Sequence, residues 1–262
     1  MKKIKKYLKV WWMMSINSFS VVLGKKSALF VFLVGKTFRF IFTLLFIFYL
    51  LKTTKGLAGY SEDQIIFFFL TFSVIDAITQ FLFREVYQFR RMIIKGDFDL
   101  VLVKPVNSLF RALMGGADIV DLITIPPLVG LTIYFGAQLN PSFLNILYYL
   151  LLLMNGFVIA TAFHILILSF AIVTLEIDHA IMIYRDITTL AKFPVDIYGK
   201  TLGGVLTYLI PLGIMFTLPA KALMGLSTPL GIILALSVGF LAIFLALRFW
   251  KFALTKYTSA SS

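Results

Sequence analysis

Residues 143–175 read FLNILYYLLLLMNGFVIATAFHILILSFAIVTL, a run without a single Lys, Arg, Asp or Glu. A helix needs about 20 apolar residues to cross roughly 30 Å of hydrocarbon, so this stretch covers one crossing with length left for tilt. Working outward, comparable runs cover Ser27–Leu51, Gln64–Phe83, Ile119–Leu139, Leu202–Leu223 and Pro229–Trp250. The expected fold is all-α: a polytopic membrane protein of six transmembrane helices. Pro211 and Pro219 break the fifth run, which predicts a re-entrant segment before the last span. Pro126-Pro127 predicts a kink in the third, whose freed carbonyls need a neighbouring helix or water.

Composition agrees. Apolar residues make up 60% of the chain and charged residues 14%, against roughly 45–50% and 25% in soluble domains. Between the runs no polar block is large enough for a catalytic or nucleotide-binding domain, so residues 1–262 form one transmembrane domain and any energy source lies elsewhere. The charge of +12 would suggest nucleic acid in a soluble protein. Here the basic residues flank apolar runs, as the positive-inside bias requires, and no nucleic-acid partner is expected. The chain has no cysteine, which excludes disulfides and thiolate chemistry.

Residues 1–26 carry seven Lys and no acid, with Lys2, Lys6, Lys9, Asn17 and Ser20 on one helical side and Leu8, Trp11, Trp12, Phe19 and Val22 on the other. That pattern predicts an interfacial amphipathic helix in contact with membrane lipid. A signal peptide is the alternative, but no small-residue cleavage site follows the apolar part.

Basic residues then orient the chain. The N-terminal arm has seven, the connection 84–118 has six, and the connections 176–200 and from Arg248 onward have three each. The alternate connections hold only Lys52, Lys55 and Lys221. Both termini and the two larger loops are therefore expected in the cytoplasm.

Few residues suggest chemistry. Gly35-Lys36-Thr37 and Gly199-Lys200-Thr201 lack the glycine of a phosphate-binding loop five positions earlier, where Phe30 and Pro194 stand. His164 and His179 are too few for a metal site, and the Asp118/Asp121 pair lacks what a lipid phosphotransferase needs. The chain is not expected to be an enzyme, and no cofactor or metal is assigned to it. Asp76, Asp121, Asn155 and His164 inside the runs are candidates for a polar path. Lys36 and Arg39 are expected to snorkel to the interface.

The informative connection is 84–118. Its core, Arg90-Arg91-Met92-Ile93-Ile94-Lys95-Gly96-Asp97-Phe98-Asp99-Leu100-Val101-Leu102-Val103-Lys104-Pro105-Val106-Asn107, mixes charge with spaced apolar residues, as a loop that meets a cytoplasmic partner would.

The stretch from Gly96 to Asn107 resembles the signature of a bacterial family of ABC transporter permeases of the type-two exporter class. Lys192-Phe193-Pro194-Val195-Asp196-Ile197-Tyr198, Leu209-Ile210-Pro211 and Leu218-Pro219-Ala220-Lys221-Ala222-Leu223-Met224-Gly225 are similar to that family's later motifs. The resemblance implies a permease in the bacterial cell membrane, paired with an identical or related permease and with two cytoplasmic ATPase subunits that hold ATP and Mg. It assigns coupling to Arg90, Arg91, Lys95, Gly96, Asp97, Phe98, Asp99, Lys104, Pro105 and Asn107, with Phe98 filling a pocket on the ATPase. Lys192, Phe193 and Pro194 would shape the second cytoplasmic loop. An ion-driven carrier is the nearest rival, but no internal repeat is evident; a non-transport scaffold is the other.

Overall fold

The computed structural model of the chain describes residues 2–54, 57–174 and 177–258. Lys55, Leu175 and Glu176, used above as loop residues or boundaries, lie outside them. Helix α1 spans Lys2–Leu23, α2 Lys26–Thr54, α3 Glu62–Leu82, α4 Phe89–Ile94, α5 Asp97–Leu102 and α6 Ser108–Leu113. Then follow α7 (Ile119–Gln138), α8 (Phe143–Thr174), α9 (Ile177–Thr189), α10 (Gly199–Gly204), α11 (Leu218–Leu223) and α12 (Pro229–Thr255). Helices α2, α3, α7, α8 and α12 are each long and apolar enough to cross a membrane.

Helix starts follow local chemistry. Ser61 and Gln64 form a reciprocal capping box at α3, with Glu62 and Asp63 in its first turn, where the helix dipole favours acids. Asp118 accepts from the Val120 amide at α7, and Thr228 from Gly231 ahead of Pro229 at α12. Helix α7 runs on through Pro126 and Pro127.

Three layers of buried side chains stack along the bundle. The inner layer joins Phe83, Phe89, Phe98, Ile172, Ile181 and Trp250. A middle layer holds Phe72, Ile159, Ala191, Met215 and Phe216. The outer layer gathers Ile47, Ile65, Phe68, Tyr149 and Ala220, with Tyr60 and Phe193 packed on it. Helices α8 and α12 approach closely because α12 presents small residues: Asn155 donates to the Ala235 carbonyl at 2.9 Å, and a Cβ on Gly239 would collide with the Asn155 amide. Without a hydrophobic drive between helices in lipid, such close backbone contact and a hydrogen bond of about 0.6 kcal/mol hold the pair together.

These layers correct the expected second cytoplasmic loop. Ile181 packs in the inner layer, Ala191 in the middle and Phe193 against the outer. Asp196 accepts from the Tyr60 hydroxyl at 2.9 Å and pairs with Lys221 at 2.8 Å, both of which belong to the opposite end from residues 84–118. Helix α9 and the 3-10 turns Leu190–Lys192 and Val195–Tyr198 therefore traverse the bundle. Lys192, Phe193 and Pro194 lie along this segment, packed within the bundle.

The run Leu202–Leu223, expected as the fifth span, becomes the re-entrant pair. Its two arms, Val195–Leu209 and Gly213–Leu223, meet at 84°. The break falls at Pro211, between π-helical Val205–Leu209 and Gly213–Thr217. Pro219 breaks nothing: it sits in the first turn of α11, where a missing amide hydrogen matters least.

Candidate functional site

A cavity of about 650 Å³ opens between α2, α3, α7 and the segment from α9 to Lys192. Its wall includes Lys36 and Arg39 from α2, Asp76 and Gln80 from α3, Ile123 and Pro127 from α7, Arg185 and Asp186 from α9, and Lys192 from the turn after it. Proline at position 127 has no amide hydrogen to give the Ile123 carbonyl, and both residues border the cavity. Charged residues at membrane depth are costly unless they face a cavity or one another, and all four basic residues within the crossing part of the bundle converge here.

Their partners differ. Lys36 forms an ion pair with Asp121, which is buried. It does not snorkel. The Gln80 side-chain amide donates to Asp76 at 2.8 Å. Arg39 and Lys192 border the same cavity as Asp76.

Of the four residues expected to line a polar path, Asp76 borders the cavity and Asp121 braces its wall through Lys36. Asn155 and His164 belong elsewhere. Asn155 is buried at the α8–α12 contact. His164 is buried with Nδ1 at 2.8 Å from the Ala160 carbonyl, its ring between Phe83 and Tyr184. Sequence reasoning names Lys192, but as a loop residue, and misses Arg185 and Asp186, which lie on α9 in the stretch it reads as a loop.

At the inner end, residues 84–118 fold into a compact platform. Gly96 has φ +73°, a left-handed conformation that costs an L side chain but not glycine, and it turns α4 into α5. The short α5 buries Phe98 and Val101 and exposes Leu100. Phe98 is fully enclosed by Phe89, Trp250 and Tyr257, with ring centroids 5.1, 6.4 and 5.2 Å away. It is thus part of the chain's own core and cannot fill a pocket on a partner. Asp99 accepts from the Tyr257 hydroxyl at 2.9 Å, which ties α5 to the end of α12. Burial, the hydrogen bond and the Asp99 charge together push the Tyr257 phenol up to about 12.

Helix α1 holds the platform from the other side. The Tyr7 hydroxyl accepts from the Asn107 amide at 3.2 Å, Lys6 donates to the Pro105 carbonyl at 3.1 Å, and Tyr7 meets Phe110 edge to face at 4.8 Å. Asn107 also caps α6 by accepting from Phe110. Trp11 turns inward, against Phe81, leaving Ile4, Leu8, Trp12 and Ile16 exposed at four-residue spacing on one stripe. Glu85 and Arg111 pair at 2.9 Å beside Gly115, where a Cβ would collide with both.

What the platform leaves open is mixed in chemistry. Ile94, Leu100, Leu102 and Val103 are exposed among Arg90, Arg91, Lys95 and Lys104. Arg91, Asp97, Leu100 and Lys104 border a depression of about 310 Å³. Among the described residues no cluster of His and acids could hold a metal ion.

A helical bundle with five helices able to cross a membrane and a charged cavity between them is a polytopic membrane protein. Residues 38–261 match the family described as ABC-2 family transporter protein, and the chain belongs to that family: it is a permease of the ABC transporter class. No match was found among curated proteins or among solved structures.

Proposed function

We propose that the chain is the membrane-spanning permease of an ATP-driven exporter in a bacterial cell membrane. ATP and Mg are held by separate cytoplasmic ATPase subunits, two per transporter, and those subunits dock on the 84–118 platform. The observation that carries this reading is the exposed set Ile94, Leu100, Leu102 and Val103 ringed by cations. Apolar side chains of this size gathered at the water-facing end of a membrane protein favour a partner surface. Arg90, Arg91, Lys95, Asp97 and Lys104 steer and register that partner, since charge complementarity sets encounter rate and orientation. Phe98, Asp99, Pro105 and Asn107 act from behind, by fixing the platform to α12 and α1.

With α9 as a crossing, the chain has six, and both termini share one side. The inner connections then carry seven Lys up to Lys26, six basic residues from Arg84 to Arg111, and three from Arg248 to Lys256, against Lys52, Lys200 and Lys221 among the described residues at the outer end. That imbalance supports termini in the cytoplasm. The stripe Ile4, Leu8, Trp12 and Ile16 on α1 favours seating in the headgroup layer. A second permease, identical or related, covers the cavity. Arg39, Arg185 and Asp186 are exposed along α2 and α9, a wall that lipid tails would not tolerate. ATP binding drives transport through its different affinities for two arrangements of the pair, and movement at the platform reaches the cavity through α3 and α9.

The test is to tag the chain in its native host, extract it in mild detergent and identify what co-purifies. An ABC ATPase recovered with the wild type and lost from Leu100→Asp is the expected result. A chain that is recovered alone under several gentle conditions moves the function to a carrier or scaffold.

A further inference from the structure

The cavity also carries information about its occupant, on the reading that it is the transport path. Of its four cations only Lys36 has a carboxylate partner, Asp121. Among the described residues, Arg39, Arg185 and Lys192 make no ion pair with any acid, and Asp76 is engaged by Gln80. With Lys36 offset, three cations face the carboxylates of Asp76 and Asp186, and the excess charge is positive. Arg39, Arg185 and Lys192 border one cavity, and like charges gathered there carry an energetic cost that Asp76 and Asp186 offset only in part. An anion placed among the cations removes that cost, and a guanidinium binds carboxylate or phosphate oxygens in pairs.

Beyond the charged groups and a set of hydroxyls that includes Thr43 and Ser73, much of the wall is apolar. Phe40, Phe69, Leu128 and Leu131 extend beside the cations, and the volume of about 650 Å³ lies within the roughly 300–1,000 Å³ typical of small-molecule sites. We propose that the cavity binds an amphiphile with an anionic headgroup, a carboxylate or phosphate carried on an apolar tail. The headgroup lies among Arg39, Arg185 and Lys192, and the tail runs along the aromatic and leucine wall. The amphiphile can come from the bilayer or from the cytoplasm, since both supply the same chemistry.

The experiment uses the full-length protein as purified, with any bound partner, and a fluorescent undecanoate probe beside a matched probe ending in trimethylammonium. Wild type is expected to prefer the carboxylate probe. Arg39→Gln combined with Lys192→Gln should weaken that probe at least about tenfold and leave the cationic probe unweakened. A thermal unfolding scan shows whether the double variant is folded; if it is not, Arg185→Gln is read in its place. Competition by phosphatidylglycerol vesicles but not phosphatidylcholine vesicles assigns the headgroup to lipid, and competition by free decanoate alone assigns it to a soluble cargo. Equal or tighter binding of the cationic probe overturns the proposal, as does inorganic phosphate competing as well as the amphiphile. Probe binding needs no ATPase, so its loss with the ATPase still co-purifying sinks only this inference. Binding kept in a chain that never captures an ATPase sinks only the exporter reading.

Discussion

Phe98 separates a side chain that meets a partner from one that builds the surface meeting it. Its ring is fully buried among Phe89, Trp250 and Tyr257, in the layer nearest the platform. Phe98→Ala removes that ring from a site that collapses only in part, at a cost of about 3–5 kcal/mol, with edge-to-face contacts included in the loss. For a domain of roughly this size each kcal/mol lowers the melting midpoint by about 2–4 °C, so the fall is on the order of 10 °C. Phe98→Leu keeps most of the volume and should lose less than half as much. Leu100 is 58% exposed on the same short helix, and Leu100→Ala should stay within about 0.5 kcal/mol of wild type. The assay is the midpoint of thermal unfolding in detergent, followed by tryptophan fluorescence or by the monodisperse fraction on a sizing column. A Phe98→Ala protein that melts within about 2 °C of wild type, or a Leu100→Ala protein that falls as far, would refute the packing described.

Lys36→Met should destabilise the protein by about 3–5 kcal/mol because it strands the buried Asp121 carboxylate, whereas Lys36→Met with Asp121→Leu should recover most of that loss; unfolding midpoints of the three proteins decide it. The Tyr257 phenol is held above its ordinary value of 10.0, at about 12, so its contribution is fully present below pH 10 and is lost as pH rises towards 12. Tyr257→Phe should therefore abolish the part of the alkaline destabilisation that wild type shows in that window, and parallel pH–midpoint curves would disprove the link. The chain has no natural cysteine, so Lys200→Cys and Lys95→Cys report topology cleanly. A membrane-impermeant maleimide added to intact cells should label position 200 and not position 95; labelling of neither or of both removes the fifth crossing.

All the long apolar runs but Leu202–Leu223, which bends, were legible to within a few residues, because hydropathy is what selects a crossing helix and lipid leaves the backbone no other choice. Ile119–Leu139 in the sequence is Ile119–Gln138 in the structure, Gln64–Phe83 is Glu62–Leu82, and Pro229–Trp250 is Pro229–Thr255. Helix α9 was missed for the opposite reason. Its Arg185, Asp186, Thr188 and Thr189 line a cavity and dilute the apolar signal, while its cations counted as loop charges. The usable signal was the amphipathic spacing of Ile181, Tyr184 and Thr188 against Arg185 and Asp186, which fits a helix with one face in protein and one in a polar space. Phe98 was misplaced by reading alternation where the chain makes a turn of helix; Phe98 and Val101, three apart, share its buried side. For Asn155 and His164, composition alone could not say which face of a uniformly apolar helix meets water and which meets another helix.

The most direct measurement is photo-crosslinking in living cells from benzoylphenylalanine placed at Leu100, at Val103 and, as an outer-end reference, at Tyr208, all exposed in the chain. An adduct with a cytoplasmic ABC ATPase from positions 100 and 103, and none from 208, is the expected outcome for a permease whose platform receives the motor. No ATPase adduct from 100 or 103 while the protein is folded in the membrane, or an adduct from 208, would contradict it.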